Sequence, residues 1–504
     1  MAGGAAVSAG SAGNYAAVMD PNRKWNNNRR LITLHAWVVL LVITSSTNGF
    51  DSTLMNSFQS LPQWEDYFDH PSGGKLGLLN AIQNIGSLAG YPFAPYFSDG
   101  IGRRPTIWFG ATIMLIGVGV QSAAYNLGMF IGARFCIGFG LTFAANAAPM
   151  LVTEISYPTY RAPLTSAYNS LWYSGNIIAS WATFGTQHLN SEWSWRIPSV
   201  LQGIPSILQF FLVLFAPESP RWLMSKGKYE QALKTLAYYH ADGDEMDPLV
   251  QYEFEEIKAA IELDREVAKN VGWTSPLATP GNRKRTTIII AIAFFSQWSG
   301  NGLISYYLNK VFDAIGITSS TVQLLVQGIL AIWNLAWALG VSAFVERIGR
   351  RTLFLSSAAG MLFAIHGSPA AAHAVIAAIF LFYAAYDLAF TPLIVTYAIE
   401  ILPYSLRAKG FNVFNFVISL ALIFNQYVNP IALEKIGWRY YIVYCCWIAF
   451  EFVFLYFMVI ETRNRTLEET AALFDGEDIS KHVVHIAEEG GVQELHLNDG
   501  KACV

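Results

Sequence analysis

The stretch Asp99-Gly-Ile-Gly-Arg-Arg104 returns as Glu346-Arg-Ile-Gly-Arg-Arg351 at an offset of 247 residues. Glu154-Ile-Ser-Tyr-Pro-Thr-Tyr-Arg161 returns as Glu400-Ile-Leu-Pro-Tyr-Ser-Leu-Arg407 at an offset of 246, and Glu218 has a counterpart in Glu461 at an offset of 243. Three motifs at one period are hard to obtain by chance. They divide the chain into two parallel repeats, each running through the same order of elements.

The sequence around these motifs is apolar. Of 504 residues, 53% are hydrophobic and only 13% charged, against about 25% charged in an ordinary soluble protein. A spanning helix takes about 20 apolar residues, so a dozen are affordable. Disorder, collagen, coiled coil and a disulfide scaffold are excluded. Apolar windows fall at 32–60, 76–97, 105–124, 127–152, 164–187 and 197–216, then at 286–309, 321–345, 353–368, 374–399, 410–431 and 438–460. The expectation is an all-α membrane protein of twelve transmembrane helices, six in 31–216 and six in 286–460. Residues 1–30 and 461–504 are polar tails. The charge-rich segment 217–285 reads as a helical linker between the halves, with amphipathic helices near 229–239 and 252–269.

Charge placement sets orientation. Arg23, Lys24, Arg29 and Arg30 precede the first window, and the even-to-odd loops carry Arg103, Arg104, Arg161, Arg347, Arg350, Arg351, Arg407 and Lys409. The opposite loops are poor in Lys and Arg. Both termini, and the linker with them, are therefore expected in the cytoplasm. Parallel halves related by an axis along the membrane normal place a substrate near the midplane between them.

These motifs, together with Pro217-Glu-Ser-Pro-Arg-Trp222 and Glu461-Thr-Arg-Asn-Arg-Thr-Leu-Glu-Glu469, resemble those of the sugar porters of the major facilitator superfamily over about residues 35–470. Gly49-Phe-Asp51 and Ser296-Gln-Trp-Ser-Gly-Asn-Gly-Leu-Ile-Ser-Tyr-Tyr307 resemble the fungal lactose and cellodextrin permeases in particular. The resemblance implies alternating access, a sugar and a proton as substrates, a functional monomer in a lipid bilayer, and the plasma membrane of a fungus.

Asp99, Arg103, Arg104, Glu154 and Arg161, repeated as Glu346, Arg350, Arg351, Glu400 and Arg407, lie at helix ends on one side. Opposite charges there can clamp that face shut and release it. Charges that only set topology need no acids, so the acids favour a gate.

A carboxylate within a span is expensive and points to function. Asp51 lies about 13 Å below the outer end of the first window, and Arg134 about 11 Å below that of the fourth, at 1.5 Å per residue. The matching depths make an ion pair plausible, and neutralising the acid would favour leaving it. In proton-linked sugar porters an acid and an arginine at these positions are implicated in coupling. Asp387 resembles the acidic position of the tenth helix in the same porters, with a structural contact as its alternative role.

Sugar hydroxyls call for neutral amides, and pyranose faces for aromatic rings. Gln297, Trp298, Asn301 and Tyr306 in the seventh window and Asn334 in the eighth supply them. The repeat adds a hint: Asp51 maps to Gln297 and Asn169 to Asn415, both at an offset of 246. Polar residues at equivalent positions should face one central site, although an interhelical hydrogen bond is the plainer role for each. Compared with hexose porters, Gly302 stands where they have an asparagine and Val395 where they have a tryptophan. The smaller side chains imply a roomier site, consistent with a β-linked disaccharide such as lactose or cellobiose.

Other classes fit poorly. There is no Gly-x-x-x-x-Gly-Lys-Ser/Thr, so ATP-driven transport is disfavoured, and no His-Glu-x-x-His or Gly-x-Ser-x-Gly of a hydrolase. An enzyme is not expected, nor a cofactor or metal. Cys136, Cys445, Cys446 and Cys503 have no metal-ligand spacing, and the first three read as free buried thiols. A net charge of −4 gives no reason to expect nucleic acid. A sugar uniporter is the alternative within the class and a non-transporting sugar sensor the alternative outside it. Only 48 residues, from 353 to 400, are available for two spans, so the ninth helix is expected to be short, turning at Gly367-Ser-Pro369.

Overall fold

The computed structural model describes residues 27–161, 164, 168, 171–270, 274–342, 348–365, 372–391, 393–402, 404–437, 439–462 and 473–474. No strand occurs among them. The first repeat contributes α1 (Arg29–Phe58), α2 (Gly73–Gly90), α3 (Arg103–Ser122), α4 (Leu127–Ile155), α5 (Trp172–Thr186), α6 (Trp193–Leu201) and α7 (Ile204–Leu212). Then come α8 (Tyr229–His240) and α9 (Pro248–Asn270), the two linker helices that the amphipathic pattern predicts. The second repeat contributes α10 (Pro280–Trp298), α11 (Asn301–Ala314), α12 (Ser320–Ser342), α13 (Arg350–Ile365), α14 (Ala372–Asp387), α15 (Leu393–Glu400), α16 (Tyr404–Ile436) and α17 (Arg439–Met458).

Local chemistry starts these helices where the windows begin. The Asn28 side chain accepts from the N–H groups of Arg30 and Leu31 at the start of α1, and Asn126 accepts from Met129 at the start of α4. Thr279 caps α10, with Pro280 at its first position. Each side-chain cap satisfies an N–H that the first helical turn leaves open.

Among the described residues eight helices are long and apolar enough to cross a membrane: Arg29–Phe58, Arg103–Ser122, Leu127–Ile155, Trp193–Phe215, Pro280–Asp313, Ser320–Val341, Lys409–Ile436 and Arg439–Met458. The remaining windows form helices that are shorter or more polar. Helix α2 carries Lys75, Asn80, Gln83 and Asn84, and Asn80 and Gln83 point inward and are buried. Large apolar side chains such as Phe211, Phe215, Phe363 and Phe457 stand exposed on the outside. Inside, buried polar side chains such as Gln83, Gln121 and Gln209 hydrogen-bond to other buried groups. This is the arrangement a lipid solvent selects. Cys136 and Cys445 are partly buried free thiols, but Cys446 is exposed, contrary to its expected burial; its position on α17 turns it toward the apolar outer surface.

The halves meet along two helix pairs. Helix α2 runs antiparallel to α16, where Asn84 donates to Gln426 Oε1 at 2.7 Å, and α5 packs on α12, where Trp181 lies against Gly328. One end of the seam is closed by hydrogen bonds across it. Gln59 donates to the Tyr306 carbonyl at 2.9 Å, Asn309 to the Gln59 carbonyl at 2.8 Å, and Gln327 to Ser57 Oγ at 2.9 Å. Lys310 and Glu65 add an ion pair at 3.2 Å. This closed end is opposite to the one carrying the repeated charged motifs.

Candidate functional site

The repeated motifs fold into the same device twice. In Gly102-Arg103 the chain turns into α3 with Gly102 at φ 111°, and in Gly349-Arg350 it turns into α13 with Gly349 at φ 101°. A helix N-terminus carries open N–H groups and a positive dipole end, so a carboxylate fits there. Glu218 accepts from the N–H groups of Arg103 at 3.1 Å and Arg104 at 3.4 Å. Glu461 accepts from those of Arg350 at 2.9 Å and Arg351 at 3.1 Å.

The side chains extend the match. Arg103 reaches Asp99 and Glu154, both at 3.2 Å, and Arg350 reaches Glu400 at 3.0 Å. Arg104 lies 3.6 Å from Glu218 and donates to the Ala216 carbonyl at 2.7 Å, while Arg351 donates to the Tyr456 carbonyl at 2.6 Å. Each of these ion pairs stays within its own half. Arg161 goes elsewhere: it meets Glu253 of α9 at 3.3 Å, and the other oxygen of Glu253 lies 2.6 Å from His240 Nδ1 of α8. Burial of Glu253 and His240 fixes the linker helices against the first half. Glu346 and the Arg407 side chain lie outside the described residues.

Asp51 is fully buried within the first half, and Arg134 nearly so. They do not bond directly. Gln83 stands between them, accepting from Arg134 Nη2 at 2.7 Å through its oxygen and donating to Asp51 Oδ2 at 3.4 Å through its nitrogen. Helix packing places it there: a Cβ on Gly138 would stand 1.9 Å from the Gln83 carbonyl oxygen, so only glycine lets α2 and α4 approach this closely. Arg134 also donates to the Leu79 carbonyl at 3.2 Å. Gln202 lies beside Asp51 and accepts from Gln121 at 3.1 Å. Among the described residues Asp51 Oδ1 and Arg134 Nη1 have no hydrogen-bond partner. The direct pair expected from matching depths is thus an amide-bridged one.

Asp387 joins the halves instead. Its Oδ1 accepts from Tyr173 of α5 at 2.9 Å and from Thr391 at 2.5 Å, and its Oδ2 is buried without a partner among the described residues.

The seventh window is broken. Helix α10 ends at Trp298, Gly300 adopts φ 98°, and α11 begins at Asn301. A break in a spanning helix frees carbonyls that must be satisfied internally. Side chains do this one by one. Tyr386 donates to the Ser296 carbonyl at 2.7 Å and Asn301 to the same oxygen at 3.1 Å. Asn425 donates to the Gln297 carbonyl at 2.6 Å. Gln297 and Asn301 thus flank the break, and among the described residues Gln297 Nε2 bonds only to its neighbour Ser296 Oγ, at 3.2 Å.

The other expected sugar contacts scatter. Trp298 turns into an aromatic cluster with Phe294, Phe424 and Trp447, at ring separations of 5.0, 5.0 and 5.5 Å. Tyr306 sits at the closed end, its carbonyl held by Gln59. Asn334 is buried with its Oδ1 unpartnered among the described residues, and Asn415 is half-buried on α16. Asn169 lies outside the described residues. The room expected at Gly302 is taken: a Cβ there would fall 1.9 Å from Asn425 Nδ2. An amide is supplied at that spot by another helix.

Sequence reading passed over Gln83, Gln202, Tyr173 and Asn425. A usable signal existed for Gln83, which with Asn80 and Asn84 makes a group of amides in an otherwise apolar window. Nothing local marks Asn425, whose role depends on a break in a different helix.

A bundle of two like halves, with buried polar groups at the seam and apolar side chains outside, is the architecture of a multi-pass membrane transporter. This chain belongs to the family of sugar (and other) transporters, whose profile matches residues 37–474. The MFS-type transporter criB of Aspergillus cristatus is 28% identical over 447 residues, covering 87% of this chain and 92% of its own length. The high-affinity glucose transporter of Kluyveromyces lactis is 28% identical over 458 residues, covering 84% and 81%. Among solved structures, the inward open conformation of the xylose transporter XylE from E. coli matches with a TM-score of 0.73 at 22% identity, over 88% of this chain and 100% of that one. It shares the fold.

Proposed function

We propose that the chain is a proton-coupled sugar symporter of twelve spans, with halves at 31–216 and 286–460, a cytoplasmic linker at 217–285 and cytoplasmic tails at 1–30 and 461–504. The observation that carries the coupling is the buried Asp51–Gln83–Arg134 chain. A buried carboxylate one amide away from a cation can change charge without unfolding its surroundings. Taking up a proton at Asp51 removes its attraction for Arg134 and frees α1 to move against α2 and α4. Gln297 and Asn301, at the break of the seventh helix, then offer amides to sugar hydroxyls from the opposite half. With the seam closed at the end away from the charged motifs, the conformation is inward-facing in this orientation. The charged motifs, whose ion pairs here lie within each half, line the cytoplasmic gate and would exchange partners across it when that face closes. A fungal plasma membrane is the setting in keeping with the fungal relatives.

The size of the sugar is a further part of the proposal. Val395 still favours the disaccharide reading, whereas Asn425 removes the support from Gly302, and a relative carries glucose in its name. Uptake in a transport-null yeast, against a panel of mono- and disaccharides with external pH recorded, tests all of this. A symporter alkalinises the medium as sugar enters. A uniporter takes up sugar without doing so, and a sensor does neither. Uptake of hexoses alone would refute the disaccharide reading.

A further inference from the structure

Glu451 of α17 is a fully buried carboxyl group to which the mechanism above gives no role. It faces the break in the seventh helix. Ser299 Oγ, at that break, lies 2.5 Å from the Phe295 carbonyl oxygen and 2.9 Å from Glu451 Oε2. A hydroxyl brings one hydrogen, and a carbonyl oxygen can only accept. If the Ser299 hydrogen points at Phe295, the contact with Glu451 needs a hydrogen on the carboxyl group. If it points at Glu451, two bare oxygens face each other at the short limit of an O–H···O bond. The first arrangement satisfies both contacts and the second only one.

The surroundings agree. Among the described residues Glu451 Oε1 has no hydrogen-bond partner. Among the described residues the groups facing the carboxyl are Trp447 and Tyr444 of its own helix, Tyr386 of α14 and Ser299. No cation is among them. An ionised carboxylate without a counter-charge at such a place is strongly disfavoured.

We propose that Glu451 is a second proton-binding site, loaded in this conformation and unloaded when the break at Ser299-Gly300 rearranges. The same break holds Gln297 and Asn301, so proton occupancy at Glu451 and the geometry of the amides offered to the sugar change together. On unloading, the O–H bond of the carboxyl group breaks, the proton passes to water entering the seam, and the electron pair stays on the carboxylate. The inference rests on the reading of the chain as a proton-coupled transporter.

Infrared difference spectra of the full-length protein in lipid bilayers test it, with equilibrium exchange and uphill accumulation of sugar measured on the same preparations. Wild type minus Glu451→Gln should show one carboxylic-acid band at neutral pH that changes when sugar is added. Ser299→Ala keeps the acid but removes its partner, so it should shift that band even if Glu451→Gln folds poorly. Glu451→Gln should accumulate about tenfold less sugar, well within the roughly fiftyfold that a potential of 100 mV supports per proton. Its exchange should stay within about twofold. Absence of the acid band at neutral pH would overturn the proposal. So would a band indifferent to sugar together with wild-type accumulation in Glu451→Gln, since Glu451 would then be a permanent structural acid. Sugar uptake by wild type with no proton movement would instead refute the coupled reading itself, a failure visible without any Glu451 variant.

Discussion

Glu461 accepts the backbone N–H of Arg350 at 2.9 Å, just as Glu218 accepts that of Arg103 at 3.1 Å. A residue from the end of each half thus caps the third helix of that half. The cap requires the preceding glycine twice over, because its φ is positive and because a Cβ would stand 2.5 Å from Glu218 Oε2 at Gly102 and 2.8 Å from Glu461 Oε2 at Gly349.

Gly102→Ala and Gly349→Ala should therefore each destabilise the purified protein, by about 1–3 kcal/mol from the strained backbone and the displaced carboxylate. Gly100→Ala is the control, since a Cβ there meets nothing within 4 Å. Thermal melts in detergent would check the ranking. Equal melting of Gly100→Ala and Gly102→Ala would refute it.

Asp51→Asn should lose uphill accumulation and keep exchange. Asparagine retains an oxygen for the Gln83 amide, and its nitrogen takes the side where Asp51 Oδ1 has no partner. A membrane potential of 100 mV is worth about 2.3 kcal/mol per proton, roughly fiftyfold in concentration, and this gain should vanish. Gln83→Leu should reduce accumulation too, because it removes the bridge while leaving both charges. Wild-type accumulation in Asp51→Asn would exclude Asp51 as the coupling acid.

Burial raises the carboxyl pKa of Glu218 above its ordinary 4.5, with the N–H groups of Ser219, Arg103 and Arg104 and the Arg104 charge working in the opposite direction. The folded state thus binds this proton more tightly than the unfolded chain. Its contribution to stability is complete below about pH 4.5 and is lost as pH rises through the folded value. Glu218→Gln cannot titrate, so its stability should fall less than that of wild type as pH rises from about 4.5 toward neutrality. Parallel melting curves across that range would contradict the assignment.

How far the sequence was legible follows from the range of the interactions. Arg103, Glu154 and Glu218 were readable because a motif repeated at one period reports a shared local geometry, and that geometry came out the same in both halves. Asp51 and Arg134 were readable because charge in an apolar window is rare. What joins them was not. Gln83 comes between them only because Gly138 lets two helices approach, a consequence of packing that no single window contains. Trp298 shows the same gap in reverse: its position in the seventh window was right, but the break at Gly300 leaves it facing an aromatic cluster and not the amides.

The linker offers a test of how it is attached. Glu253 is buried between Arg161 and His240, and His240 Nε2 lies 3.2 Å from the Ile155 carbonyl. Glu253→Ala leaves these groups without their carboxylate. The loss should be about 2–3 kcal/mol, less than the 3–5 kcal/mol of a fully buried pair because Arg161 is partly exposed. Limited proteolysis should then cut within 229–270 faster than in wild type. Unchanged cleavage would place the docking energy in the apolar contacts of Leu249 and Tyr252.

The proposed twelve-span topology depends on the ninth helix. Helix α13 has 16 residues and is about 24 Å long at 1.5 Å per residue, short of a hydrocarbon core of about 30 Å. The expected turn at Gly367-Ser-Pro369 lies outside the described residues. Mismatch of this size costs only fractions of a kcal/mol per Å. Failure to span would cost more, since it would carry Arg407, Lys409 and the tail across the membrane against the charge rule. The helix should therefore cross. The native sequon at Asn464 lies too close to the last span to report this, but a sequon engineered near Gly490 would. It should remain unglycosylated on expression in yeast, while one engineered near Asp69, in the first expected outer loop, should be modified. Glycosylation near Gly490 would put the tail outside, and the twelve-span reading would have to be abandoned.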